Sequence, residues 1–289
     1  MSLLDNLDGK LEEENEFVNK TDESTKERLK ILDGIFWKWF KQIGNLSNAN
    51  SEDQFNRAKL YLQDIKITDT DISEFVLSLT KYENEPTFCN SGLFVSSMIQ
   101  KSFDQGFNDF YVPALKSDTV LFYLMSHVEG NSKKKIFSRI NAENNHLYYC
   151  ANYSSNLYLT IDGNTGLHTG SNSNDSVIIV NGGVGKFGFS GIKSSYCIVN
   201  GKSQESCGWE AKDSTLIFNG THDGYFYHAA RCDVFVNGDL HDDFGGFTEN
   251  INFYSKEVDK LEHTHRRANE SCKYFLINKD DSFREVTFK

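Results

Sequence analysis

The chain is short of everything that would place it in a lipid bilayer. No uncharged apolar run approaches the roughly 18 residues that a membrane-spanning helix requires. The N-terminal stretch MSLLDNLDGKLEEENEF has neither the basic segment nor the apolar core of a secretory leader. Basic residues are also scarce: 30 Lys and Arg stand against 41 Asp and Glu, a formal charge of -11. That balance opposes a grip on nucleic-acid phosphates. The six cysteines, Cys89, Cys150, Cys197, Cys207, Cys232 and Cys272, include no CxxC pair and no dense cluster. They read as reduced core thiols rather than as a disulfide framework. These deficits predict a cytoplasmic protein with neither a membrane nor a nucleic-acid partner. What remains, 38% hydrophobic and 25% charged residues over 289 positions, is an ordinary globular composition on the polar side.

Three regions follow one another. Residues 1–86 are low in glycine and helical in pattern, after an acidic arm over residues 1–20 that is expected to fray. Leu29, Leu32, Phe36, Phe40 and Ile43 recur at helical spacing, with Thr21 or Ser24 as a cap and Gly44 as a stop. Ser51 and Gln54 have the spacing of a capping box and open a second helix. A third starts near Thr70, buries Ile72, Phe75, Val76 and Leu79, and ends at Pro86. Residues 87–150 are a mixed α/β lead-in, with a short helix over 91–99 and strands over 107–112 and 119–125.

Residues 151–289 are a repeat. Turn dipeptides fall at Asp162–Gly163, Asn181–Gly182, Asn200–Gly201, Asn219–Gly220 and Asn237–Gly238, spaced by 19, 19, 19 and 18 residues. Each follows a strand-like run: LYLTI, VIIV, YCIV, TLIF and DVFV. Short strands, glycine corners and about twenty residues per coil fit a parallel β-solenoid, stacked at about 4.8 Å per coil. The expected fold is therefore a mainly β, single-stranded right-handed parallel β-helix with an N-terminal helical region. The helices should cap one end of it, because an open solenoid end exposes unpaired strand edges. Asn200 and Asn219, or the glycine after each, are expected in left-handed or bridging conformations.

The glycines Gly163, Gly166 and Gly170 form a G-x-x-G-x-x-x-G match, and Gly182 and Gly185 begin another. This pattern resembles the glycine-repeat right-handed β-helix family that includes the C-terminal domain of the glutamate synthase large subunit and a formylmethanofuran dehydrogenase subunit. The resemblance covers roughly residues 90–289, and the pattern thins from Gly201 onward. It implies a structural module without catalytic residues or a cofactor of its own. The nucleophilic N-terminal cysteine of glutamate synthase has no counterpart in this chain.

Within a coil, the positions one and three before the turn are apolar throughout and form core ladders. The position between them should face outward, yet it reads Thr160, Ile179, Ile198, Ile217 and Phe235. An outward apolar row implies a cover: the N-terminal helices for part of it and a protein partner, self or another subunit, for the rest. Ile179, Ile198, Ile217 and Phe235 are the candidate interface.

Polar candidates cluster after the later turns. Asp223 should stack over His241, with His222, His228 and Asp242 nearby, and imidazole with carboxylate serves acid–base work or a divalent metal. His263 and His265 form an H-x-H pair that a strand would place on one face. No H-x-x-x-H or H-E-x-x-H spacing accompanies them, so solvated loop residues are the expected outcome. The function expected is a non-catalytic scaffold or protein-interaction module. Its alternative is a β-helix enzyme acting on a polysaccharide through His241, Asp223 and Asp242. Enzyme activity is left open, with the balance against it.

Overall fold

The computed structural model describes residues 23–43, 50–82, 85, 88–113, 120–223, 226–241, 248–266 and 268–288. The acidic arm, Thr21, Gly44, Pro86 and Asp242 fall outside the described residues, as do the side chains of Cys89, His241 and His263.

Among the described residues, four α-helices precede the strands: α1 (Glu23–Ile43), α2 (Ser51–Tyr61), α3 (Asp69–Ser78) and α4 (Ser91–Asp104). α1 buries Leu32, Phe36, Trp39, Phe40 and Ile43 along one face, and it starts ahead of Ser24, which is therefore a helical residue and not the cap. The α2 cap is Asn50, whose side chain accepts from the Asp53 amide at 2.8 Å. Ser51 is the first helical residue, so the expected Ser51–Gln54 capping box does not form. α3 is closed by a capping box between Thr68 and Asp71. The same Asp71 carboxylate, fully buried, accepts both 2.9 Å bonds from Arg28 Nε and ties α1 to α3. α4 is buried on nearly every side.

The strands are β1 (Asp109–Val112), β2 (Val120–Phe122), β3 (Ile136–Tyr148), β4 (Leu157–Thr165), β5 (Val177–Val180), β6 (Tyr196–Val199), β7 (Thr215–Phe218), β8 (His222–Asp223), β9 (Asp233–Val236), β10 (Leu240–His241), β11 (Asn252–Ser255), β12 (Lys273–Ile277) and β13 (Phe283–Val286). One long sheet runs β1-β3-β4-β5-β6-β7-β9-β11-β12-β13, with β2 also on β3. Every pairing in it is parallel except β12 with β13. Successive strands pair residues 18 to 21 positions apart from β4 onward, for example Ile179 with Ile198 and Ile198 with Ile217. Two further parallel ladders join the coils through single bridges, one along Thr165, Val184, Ser203 and His222, the other along Ser155, Asn174, Lys193, Lys212 and Ala230. The chain is thus a β-solenoid with an N-terminal helical region.

The helices sit where capping requires them. α3 packs on β1 and α4 on β2, close enough that a Cβ on Gly92 would lie 2.3 Å from the Phe122 carbonyl oxygen. At the other end α5 (Val258–His265) packs on β11 and β12, and β13 closes the sheet with reversed direction. The helices lie at the end of the stack rather than over β5–β9, which corrects the expectation that they cover the outward row.

Inside the coils, Leu159, Ile178, Cys197, Leu216, Val234 and Phe253 form one ladder, and Ile161, Val180, Val199, Phe218 and Val236 another, all essentially inaccessible. A third ladder is polar and hidden. The Ser176 and Ser195 amides donate to the hydroxyls of Ser195 and Ser214, respectively one coil on. Each coil thereby satisfies backbone donors that would otherwise be buried without partners.

The left-handed option does not occur at the Asn200 and Asn219 corners. Asn200, Asn219 and the glycines behind them do not have positive φ. Gly220 is required for another reason: a Cβ there would lie 2.2 Å from the Gly201 carbonyl oxygen in the coil below. Left-handed backbone occurs instead on the opposite arc, on a 19-residue period: His168 (φ 58°), Phe187 (58°) and Ser206 (61°), then Asp175 (51°), Ser194 (47°) and Asp213 (50°). Such residues are individually unfavourable. On the arc their strain is offset by backbone bonds directed alternately up and down the stack. Phe187 donates to Glu205, Phe189 to Thr169, Gly191 to Trp209 and Lys193 to Ser173.

The asparagines at the corners are used for their side chains. Asn237 Nδ2 donates to Asn219 Oδ1 at 2.8 Å, Asn219 to Asn200 at 2.7 Å and Asn200 to Asn181 at 2.9 Å. Asn181 ends the ladder on Asp162 Oδ1 at 2.6 Å, and Arg139 Nε donates to the other carboxylate oxygen at 2.7 Å.

Candidate functional site

The outward face of the long sheet carries two rows fixed by the register. One runs Arg139, Thr160, Ile179, Ile198, Ile217, Phe235, Tyr254 and Phe275. The other runs Asp109, Phe137, Tyr158, Val177, Tyr196, Thr215, Asp233, Asn252 and Lys273. Ile179, Ile198, Ile217 and Phe235 are brought into one line, half-buried by their own neighbours. Phe137 and Tyr196 are each 40% exposed. Phe235 stacks on Tyr254 at 4.3 Å, Tyr254 on Phe275 at 5.0 Å, and Phe283 from β13 meets Tyr254 edge-on at 5.1 Å. Tyr254 and Phe275 extend the row beyond the residues singled out from sequence. Their signal was present: Phe253 and Tyr254 continue the apolar positions of the coil after the last Asn-Gly turn.

Among the described residues, the His and Asp candidates have separate surroundings. Register pairs His241 with Asp223, as expected, but Asp223 is ion-paired with Lys202. His222 points inward and is fully buried, its Nδ1 2.5 Å from Ser203 Oγ and its ring 4.6 Å from Phe218. His228 is exposed on the arc and packs on Trp209. One imidazole thus belongs to the core and the other to the surface.

The H-x-H pair lies on α5, not on a strand. Positions i and i+2 of a helix do not share a face as those of a strand do. His265 is used in packing, 5.2 Å from the rings of both Tyr274 and Phe288. Among the described residues, no group of three or more His, Cys, Asp or Glu is placed to hold a metal ion.

Cys150, Cys197, Cys207, Cys232 and Cys272 are free and buried. Burial pushes the Cys150 thiol up to about 12 and the Cys232 thiol up to about 11. Cys197 and Cys207 are raised for the same reason. These thiols are poor nucleophiles at neutral pH and act as small apolar fillers. No described helix is long and apolar enough to cross a membrane. No protein-family model, no curated protein and no solved structure matches the chain.

Proposed function

We propose that the solenoid is a scaffold whose outward sheet face docks a second copy of the same chain. The carrying observation is the apolar row through Ile179, Ile198 and Ile217, flanked by Val177 and Tyr196, which no other described element of the chain overlies; Phe283 of β13 reaches only its far end, at Phe235 and Tyr254. A soluble parallel sheet is normally covered on both faces. The resemblance of its glycine pattern to that of glycine-repeat β-helix modules agrees with a scaffold role.

The occupant follows from the order of residues along the rows. A two-fold axis along β6 would set strands equally far before and after it against each other. Ile198 then meets Ile198, Ile179 meets Ile217, and Arg139 meets the Tyr254 ring. At the ends, the exposed Asp109 carboxylate faces the exposed Lys273 ammonium. The face is therefore self-complementary in charge as well as apolar in the middle, the requirement of an isologous contact. Strands about 4.8 Å apart and about four residues wide give roughly 500 Å² per copy. Two copies bury roughly 1,000 Å², the lower limit of a specific interface.

Sedimentation velocity tests this. The wild type should sediment as a dimer, and Ile198→Asp with Ile217→Asp as a monomer of unchanged circular dichroism. Lys273→Asp should weaken the dimer and the added Asp109→Lys restore it. A monomeric wild type, or a charge exchange without rescue, overturns the reading.

A further inference from the structure

Where the helical cap meets the first coils, the chain encloses a cleft of about 590 Å³. It is lined by Ser51, Glu52, Phe55, His127, Glu129 and Tyr153, among others. Because Asn50 has taken the capping role, the Ser51 hydroxyl is not spent on its own helix. It lies 2.9 Å from His127 Nε2. The imidazole is held between two rings, Phe55 at 5.7 Å and Tyr153 at 5.6 Å with a 9° interplanar angle. Its backbone amide is fixed on the Asn152 carbonyl at 3.0 Å. The first amides of α2, those of Ser51 and Glu52, donate to no atom among the described residues. They carry the positive end of the helix dipole at the position of the hydroxyl.

We propose that Ser51 and His127 are a nucleophile and its general base, and that the cleft hydrolyses small carboxylic esters. Ser51 Oγ attacks the ester carbon while its proton passes to His127 Nε2 in the Nδ1–H tautomer. The carbonyl π pair moves onto the carbonyl oxygen, which the Ser51 and Glu52 amides receive. Collapse breaks the ester C–O bond, and the leaving alkoxide takes the proton from His127. Water then gives a proton to His127 and attacks the acyl-Ser51 carbon. The bond to Ser51 Oγ breaks, Oγ recovers the proton, and the carboxylic acid leaves. One ester and one water give one acid and one alcohol.

The charges around the imidazole set its state and the substrate. From α2 they are Glu52 and Lys59, and from the coils Glu129, with the Tyr153 phenol stacked on the ring. Burial lowers the His127 pKa below its ordinary value, and the nearby Glu52 carboxylate opposes part of that shift. The ring is neutral at pH 7 and free to accept a proton. Two carboxylates stand against one ammonium, that of Lys59, which lies 5.7 Å over the Phe55 ring. Tyr153 is 55% exposed and offers an aromatic surface beside them. The preferred substrate is an ester of a cationic amino alcohol rather than one bearing a carboxylate.

The test uses the full chain with a fluorophosphonate probe, and acetylcholine against its uncharged isostere 3,3-dimethylbutyl acetate as substrates. The probe should add its mass to the Ser51 peptide and fail to do so in Ser51→Ala. In His127→Gln the labelling rate should fall about 100-fold or more. In the wild type that rate should rise with pH through the imidazole pKa, below the ordinary histidine value, and level off by neutrality. This pH profile decides the matter if His127→Gln does not fold. Glu52→Gln with Glu129→Gln should lower the preference for acetylcholine without preventing labelling. An unmodified Ser51, equal labelling of His127→Gln, or a rate without the acid limb overturns the dyad. Equal rates on the two substrates overturn the cationic preference. Ile198→Asp with Ile217→Asp should label normally, so this site and the docking face fail or stand separately.

Discussion

In the helical cap the Phe36 ring touches Trp39 and Phe40 of its own helix, Phe75 of α3, Tyr82 just beyond it and Phe94 of α4, all within 6 Å between centroids. In the solenoid Leu216 has Cys197 on one side and Val234 on the other, each in the same place one coil away. The cap packs in three dimensions around a few large rings, while the solenoid packs along one axis through many small repeats. A defect in the cap should therefore unsettle the whole unit, whereas a defect in the solenoid acts first on adjacent coils.

The sharpest way to break that contrast is Phe36→Ala, which opens a cavity at the meeting point of four segments. It should cost about 3–5 kcal/mol by chemical denaturation, and a loss under about 1 kcal/mol would mean that the cap core is plastic. Next in size, Gly220→Val forces a side chain onto the backbone of the coil below. The expected cost is about 1–3 kcal/mol or more, and an unchanged melting temperature would show that the coils spread without penalty. The smallest change has the opposite sign. Gly34 lies exposed inside α1 with nothing within 4 Å of an added Cβ. Gly34→Ala should stabilise by about 0.5–1 kcal/mol, since helix propensity alone decides there. Gly34 in the cap is dispensable and Gly220 at a corner is not.

The sequence made the solenoid legible wherever a coil repeats its neighbour. The spacing of the Asn-Gly corners located β5, β6, β7 and β9, and the core ladders and outward row follow directly from their alternation. It was less informative where no neighbour of equal length exists. β3, the longest strand, went unassigned because its coil has no Asn-Gly corner. The reason for the corner glycines was also misread: a dipeptide suited to positive φ says nothing about a carbonyl arriving from the next coil. The His-x-His pair was ambiguous because an eight-residue helix and a short strand both accommodate it. Nothing in the sequence pairs Ser51 with His127, 76 residues apart. That proximity exists only because α2 docks on the first coils, and the one local clue, Ser51 three residues before Gln54, pointed to a cap.

The amide ladder at the corners has a direction. Each asparagine gives its N–H to the one before it, and the series ends on Asp162, which can only accept. One amide cannot turn around alone, because its nitrogen would then face a nitrogen and its oxygen an oxygen. The Asp162 carboxylate therefore sets the sense of every amide from Asn181 to Asn237, and Arg139 holds that carboxylate in place. Successive bonds polarise one another in the same sense. Four coils thus share a single orientational state, written at one end of the stack by one acidic side chain.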